Sequence, residues 1–534
     1  MSEESKMIMQ QELQEEEDII STYLNIPYFI LDDEVSSSVR SRYEREFNQI
    51  NRYYDVYKRG SFFLSEGSNA DYIPSRLRYK KATMIVNKEA RFLFSNTPTF
   101  NVNPDDVDGA NKEENSILQN YLDKVLEMNN FSGDLLKGLK DCFIGKRIAI
   151  VVNFNDDGIT ITFLKPTEFI YETDGTRNDN ITKFVTFFQI NDCESLKEQR
   201  WYKKRYTKEN GIVYLEEIIY DGTGEVIEIP FSKSEIRLPY IPVAVVLNDA
   251  LTGDYSGTSE LGDLIEYEKY YSKLANADMD AERKSMNPIK YTVDASEGST
   301  KKLSTSPGSF WDLQSDEEKA ETRNAKVGTL EAQMNYSVPL KTTLDRIENE
   351  MYAELDVPNI TSEQLAGVIT SGKTIQALYW GLTVRCDEKM LAWGYALQFI
   401  ARTIIEGGIL YPEYIGRYTT EKRLPEIEFE ILVENNYPIP EDVKEEKELD
   451  ISEVESNIMS RKAYLKKWRK LSDIEAMKEI EQIQLEKQML EDSMVDLSNS
   501  DNQDGVEEED VDDTEIDPNS EIDDEDNQID DENK

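Results

Sequence analysis

Eight residues of this chain have the types and spacing to hold a nucleotide. Gly367-Val-Ile-Thr-Ser-Gly372-Lys373-Thr374 fit G-x-x-x-x-G-K-[ST], in which backbone N–H groups cradle phosphates while the Lys and the hydroxyl reach the terminal phosphate and Mg²⁺. Such a loop works between a strand that delivers it and a helix whose N-terminus faces the ligand. Upstream, Leu355-Asp-Val-Pro358-Asn-Ile-Thr-Ser-Glu-Gln-Leu reads as a helix end and a polar loop, with no β-branched run ending at Gly367. Over the next sixty residues, no four-residue apolar strand ends in a carboxylate that could hold the metal; the nearest match, Thr403-Ile-Ile-Glu406, lies inside a helical pattern. The motif is read as a loop-to-helix junction in which Ser371 or Thr374 caps the helix. A nucleotide-driven motor is the competing reading.

Other catalytic chemistry is narrowed by composition. The chain has no His, which excludes Ser-His-Asp and Cys-His machinery and His-based zinc sites. Cys142, Cys193 and Cys386 are far apart, form no C-x-x-C pair and are read as free thiols, in keeping with a reducing compartment. No catalytic residue, metal or cofactor is expected. With 107 Asp and Glu against 60 Lys and Arg, the formal charge is −47, unsuited to gripping nucleic acid by neutralising phosphates. A surface that lets DNA pass remains allowed. The N-terminus is acidic and without an apolar leader, and no run approaches the eighteen apolar residues of a membrane span, so the chain is expected in the cytoplasm.

The elements that must position these residues follow from periodicity. Helical patterns run over residues 36–59, 76–94, 113–129 and 132–144, and the period falls to two between 147 and 229, with turns at Asp156-Asp-Gly158 and Asp221-Gly-Thr-Gly224. The two glycines of the second turn are expected to supply positive φ. Ile241-Pro-Val-Ala-Val-Val-Leu247 and Gly253-Asp-Tyr-Ser-Gly257 lead into a long helix over 258–284 with a stripe of Leu261, Leu264, Ile265, Tyr271 and Leu274. Strands at 289–293, 309–313 and 326–333 form a small insert, after which a second long helix over 338–355 returns with Leu340, Leu344, Ile347, Met351 and Leu355. The longest pattern carries Ile375, Leu378, Leu382, Cys386, Trp393, Leu397, Ile400 and Ile404, and is expected to stop at Gly407-Gly408. A strand at 427–433 precedes two helices announced by Ser452-Glu-Val-Glu455 and Ser472-Asp-Ile-Glu475. From Asp501 on, eighteen acidic residues against one Lys make a self-repelling tail too polar to fold.

Taken together these features resemble the portal proteins of tailed double-stranded-DNA bacteriophages. The resemblance covers about residues 20–490. It rests on the strands leading through Ile241-Pro-Val and Gly253-Asp-Tyr-Ser-Gly257 into a long helix, the step Ser371-Gly372-Lys373 into Ile375-Gln-Ala-Leu378, Ile458-Met-Ser-Arg-Lys-Ala463 before a Glu-rich helix, and above all two long helices bracketing a β insert.

The resemblance implies an α+β portal fold with long stem helices, β-rich wing and clip, and helical crown, assembled as a ring, generally of twelve subunits. It divides the chain into an acidic arm (1–19), wing (20–255 and 373–440), stem (256–287 and 336–356), clip (288–335), tunnel loop (357–372), crown (441–495) and a disordered acidic tail (496–534). DNA would be driven through the central channel by a separate terminase ATPase, the portal itself hydrolysing nothing. Lys341, Arg346, Thr361, Ser362, Gln364, Thr370 and Lys373 are the implied channel residues, although Lys341 and Arg346 could instead pair with Glu348 or Glu350. Gly298, Lys301, Lys302, Pro307 and Gly308 are the implied docking residues for the terminase large subunit and head-completion proteins, and the major capsid and scaffolding proteins are further implied partners. Another oligomeric virion or scaffold protein would share the long helices and acidic tail.

Overall fold

The computed structural model describes residues 28–31, 34–60, 75, 77–103, 111–156, 158–175, 180–191, 195–286, 289–296, 315, 325–330, 335–360, 372–438, 443–469 and 476–485. The described residues fall into two compact units, divided after residue 440.

After a single helical turn at Tyr28–Leu31 come four amphipathic helices: α1 (Ser37–Arg59), α2 (Lys81–Phe94), α3 (Lys112–Met128) and α4 (Phe131–Gly145). Ile85, Val86 and Leu93 of α2, Leu118 and Leu122 of α3, and Leu139 and Phe143 of α4 bury their side chains in one apolar core. A strand, β1 (Thr99–Val102), lies between α2 and α3. After α4 come β2 (Arg147–Asn155) and β3 (Gly158–Leu164), which form an antiparallel sheet with β9 (Val243–Leu247) in the order β3-β2-β9. Strand alternation divides β2 between two cores: Ile148, Ile150 and Val152 enter the helical core, whereas Ala149 and Val151 meet Phe169, Phe184, Tyr206 and Val213 of a second sheet. That sheet is a five-stranded meander of β4 (Phe169–Thr173), β5 (Ile181–Asn191), β6 (Arg200–Glu209), β7 (Ile212–Asp221) and β8 (Val226–Glu235). Its other face is covered by Tyr43, Phe47 and Ile50 of α1, packed on Ile170, Val185, Phe187 and Trp201.

In the turn before β8, Gly224 alone has the positive φ, +94°, while Gly222 is required because a Cβ there would sit 2.6 Å from the Leu196 carbonyl. Asp221 closes the turn by accepting the N–H groups of Thr223 and Glu225, each at 2.9 Å. These contacts tie up the turn's polar groups.

Next come α5 (Glu260–Ser285), the antiparallel hairpin β10 (Ile289–Val293) and β11 (Lys326–Leu330), and α6 (Ser337–Glu354), which packs on α5. At 1.5 Å per residue α5 is about 39 Å long. In the hairpin the Tyr291 ring lies over its cross-strand partner Gly328. The expected strand at 309–313 lies outside the described residues; beside it Ser315 bridges Ala295.

The apolar stripe expected along α5 does not continue. Leu261, Leu264 and Ile265 are buried, but beyond them the buried face is Glu268, Ser272, Ala275, Asn276 and Asp280, while Tyr271 and Leu274 are only half-buried. The polar groups serve the chain just before α2. Asp280 and Asn276 accept the N–H groups of Ser75 and Leu77 at 2.8 Å each, Asn276 donates to the Leu77 carbonyl at 3.0 Å, and Glu268 accepts from Lys81 (3.3 Å) and Ala82 (2.8 Å) at the head of α2. For this reason α2 begins at Lys81 rather than near 76: the preceding segment satisfies its backbone on α5 instead of on itself.

The longest helix, α7 (Gly372–Leu410), runs through Gly407 and Gly408 instead of stopping there. A Cβ at Gly407 would lie 2.0 Å from the Phe154 ring, and one at Gly408 2.4 Å from the Tyr121 hydroxyl. Both glycines admit neighbours to the helix surface. The strand expected at 427–433 is shorter, β12 (Ile431–Glu434), and pairs antiparallel with β1.

In the second unit, α8 (Val443–Glu455) and α9 (Arg461–Arg469) pack together, and residues 476–485 form a further helix. Ser452 lies within α8, so it caps nothing; the cap is Ser460, whose hydroxyl accepts the Ala463 N–H at 3.1 Å. Ser472 lies outside the described residues.

Candidate functional site

The residues singled out for channel contact lie on α6, on α7 and on the chain between them. Lys341 and Arg346 are exposed on α6, on a face that also presents Thr342, Asp345, Asn349 and Glu350. Positive and negative groups alternate there, so the face offers no continuous cationic track. Glu348, one of the carboxylates expected to neutralise them, instead pairs with Lys81 at 2.7 Å and ties α6 to the head of α2. Thr361, Ser362, Gln364 and Thr370 lie outside the described residues, as do Gly298, Lys301, Lys302, Pro307 and Gly308. Lys373 falls in the first turn of α7, and its side chain is not among those described.

Gly372, Lys373 and Thr374 all belong to α7, so Thr374 is a first-turn residue and not its cap; Ser371, at the cap position, lies outside the described residues. Before the motif α6 ends at Glu354, and residues 355–360 form no strand. After it, Thr403 and Glu406 are interior residues of the same 39-residue helix. Among the described residues the strand–loop–helix order of a phosphate loop is replaced by helix and coil, and the carboxylate that ends β12, Glu434, lies opposite Thr99 of β1 and accepts a hydrogen bond from Asn101 at 3.3 Å.

The middle of α7 is held by a buried ionic cluster. Lys389 and Arg385, one turn apart on α7, face Glu89 of α2, Glu260 at the head of α5, and Asn248 and Asp249 from the turn after β9. Lys389 reaches Asp249 at 2.9 Å, Asn248 at 3.1 Å and Glu89 at 3.7 Å, and makes its shortest contact with Glu260. Arg385 bonds Glu89 at 3.0 Å and Glu260 at 2.6 Å. The side chains of Glu89, Glu260 and Lys389 are at most 2% exposed, so each charge depends on the others instead of on water. Burial works against ionisation of Glu260, but Lys389 and Arg385 outweigh it and hold that carboxyl at about 2; burial and the Glu260 charge push Glu89 up to about 8.

Local sequence explains how this cluster is assembled. Ser259 caps α5 by accepting the Gly262 N–H at 3.0 Å and donates to the Ile144 carbonyl at 2.6 Å, at the end of α4. Asn248 donates to the Thr258 carbonyl and to Glu260, both at 3.0 Å. Gly257 permits this crossing, since a Cβ there would lie 1.9 Å from the Asn248 carbonyl oxygen. On the other flank of α7, the Phe92 ring is stacked between Tyr379 and Tyr437, with centroids 5.5 and 5.2 Å away.

Chemically, the cluster anchors: Glu89, Glu260 and Lys389 are shut away from solvent, and only the rim, Asp249 and Arg385, reaches it. Cys142 and Cys386 are buried, which pushes both thiols up and keeps them protonated; Cys193 lies outside the described residues. Among the described residues no group of Cys, Asp and Glu is arranged to hold a metal, and no helix is long and apolar enough to cross a membrane.

Sequence reasoning missed the cluster. Its signal was present in the longest apolar pattern, where the interval between Cys386 and Trp393 skips a core position occupied by Lys389. A lysine in phase with a buried stripe requires a buried acid. One family model, described as phage portal protein, SPP1 Gp6-like, matches residues 36–493. No curated protein matches the chain.

Proposed function

The chain belongs to the SPP1 Gp6-like phage portal protein family, and from that premise we propose how its parts serve the portal. As a portal protein it is a structural component of the phage capsid that acts in genome packaging, working as a homo-oligomeric ring with DNA, capsid and terminase. The finer reading is a ring of twelve subunits, assembled in the host cytoplasm, in which α5 and α6 are the stem, 288–335 the clip, 357–372 the tunnel loop and 441–495 the crown. The two helical sheet-bearing stretches, 20–255 and 373–440, are the wing. The observation that carries this assignment is the pairing of two long helices around the β10–β11 hairpin, within a family match that spans both.

The charge fits a conduit. DNA carries one negative charge per about 1.7 Å of axis, and a channel lined with Lys and Arg would retain it by counterion release. A chain of charge −47, with Lys341 and Arg346 interleaved with acids, lets the duplex slide; those two, the tunnel-loop residues Thr361, Ser362, Gln364 and Thr370, and Lys373 make transient contacts. Residues 298–308 in the clip dock terminase during packaging and head-completion proteins afterwards.

Deleting residues 298–308 tests the docking assignment: rings are expected to assemble while packaging is lost, and normal packaging by the deletion contradicts it. Lys373→Ala tests the tunnel-loop reading against the motor. Nucleotide at 100 times its dissociation constant would add about 2.7 kcal/mol to folding stability. No rise in melting temperature with Mg-ATP is expected in either protein, and a rise that vanishes in Lys373→Ala restores the motor.

A further inference from the structure

The helix α7 is apolar on two opposite sides. Its buried side carries Leu382, Cys386, Trp393, Leu397, Ile400 and Ile404. Its outer side carries Trp380, Val384, Leu391 and Tyr395, at spacings of four, seven and four, which fall within one narrow arc at 100° per residue. These four side chains are 69, 49, 77 and 74% exposed, and the arc runs for about 22 Å along the helix. Ala377 and Ala392 are exposed beside it. A helix apolar all round belongs in an interior, yet among the described residues of the first unit the outer side is left uncovered.

The contrast with the other helices is one of charge. On its exposed side α3 presents Glu113, Asn120, Asp123, Lys124 and Glu127, the ordinary solvated face. Between residues 374 and 401 of α7 there are only four charged residues, Arg385, Asp387, Glu388 and Lys389. Two of these, Arg385 and Lys389, are committed to the buried cluster. What remains on the outer side is acidic, which disfavours nucleic acid as its occupant.

We propose that the outer face of α7, centred on Trp380, Val384, Leu391 and Tyr395, is a subunit–subunit contact covered by a second copy of this chain. The proposal rests on the portal reading, which requires every subunit to meet a neighbour on each side. Copies of charge −47 repel one another, so they must meet where charge is sparse, and this arc is the long charge-poor surface that α7 leaves open. Around a ring the contact is heterologous, the α7 face of one subunit meeting a different face of the next. Trp and Tyr, the two large aromatic residues of this arc, are the types enriched at binding hot spots.

The test compares full-length wild type with Leu391→Asp and Tyr395→Lys by native mass spectrometry at micromolar concentration, with circular dichroism and a melting curve of each. Both positions are exposed, so both variants are expected to keep the wild-type spectrum and melting behaviour of the subunit. Each is expected to raise the concentration for half-assembly by at least about tenfold. Glu388→Ala, on the same side of the helix but charged, should leave assembly unchanged. Rings formed by Leu391→Asp and Tyr395→Lys as readily as by wild type overturn the proposal and leave the portal reading intact. A wild-type chain that forms no ring overturns both.

Discussion

Removing the Lys389 ammonium leaves Glu89, Asp249 and Glu260 facing one another with Arg385 as their remaining cation. Breaking a buried ion pair from one side costs about 3–5 kcal/mol. Lys389→Ala is therefore expected to lower the melting temperature sharply, and a change within error of wild type would refute the anchoring role. The same cluster sets a pH dependence. With Glu89 pushed up to about 8, the folded protein keeps a proton above the ordinary carboxylate range that the unfolded chain has released. That contribution is complete below the unfolded value and is lost as pH rises through 8. Glu260, held at about 2, works oppositely: its contribution is present above its unfolded value and is lost as pH falls toward 2. Glu89→Gln keeps the neutral shape at every pH, so its melting temperature relative to wild type should rise between pH 6 and pH 9. A difference that stays flat or falls would contradict the assignment. None of these pairings was legible in the sequence, because Glu89, the 249–260 segment that carries Asp249 and Glu260, and Lys389 are each more than 100 residues apart. Only the phase of Lys389 hinted at burial.

At the scale of elements, periodicity located the helices well where their buried face is apolar. The expected 36–59, 113–129 and 132–144 are α1, α3 and α4 within a residue or two. It failed where burial is polar or where small residues serve contact. The stripe Glu268, Ser272, Asn276 and Asp280 has helical spacing, but no apolar residue marks it; Glu268, Asn276 and Asp280 serve to satisfy backbone groups of Ser75, Leu77, Lys81 and Ala82. Gly407 and Gly408 have the composition of a helix stop and instead lie against Phe154 and Tyr121. Asn276→Leu would make the α5 stripe more apolar, and by composition alone should stabilise. It is expected to destabilise by about 1–3 kcal/mol, because the Leu77 N–H and carbonyl lose their partners. Hydrogen exchange at Leu77 should accelerate in that variant, and unchanged exchange would show that Asn276 does not hold the segment. The β1–β12 pairing was likewise invisible, since its strands are four residues each and more than 300 residues apart.

For the molecule as a whole, the order of elements carried more information than any motif. The resemblance to portal proteins was legible from two long helices around a β insert, and the family match over residues 36–493 agrees with it. The residues proposed to touch DNA were not legible in the same way: channel lining is a property of several subunits, and one chain's periodicity does not mark which face meets the axis. The charge of −47 leads to a whole-particle expectation, that purified assemblies bind linear duplex only weakly and lose it as salt is raised toward 200 mM. Tight binding that survives such salt would contradict a passive conduit. The most direct test of the central claim is negative-stain imaging of the purified full-length chain. The account predicts closed rings with an axial hole, and particles without a central channel at the concentrations of assembly would contradict it.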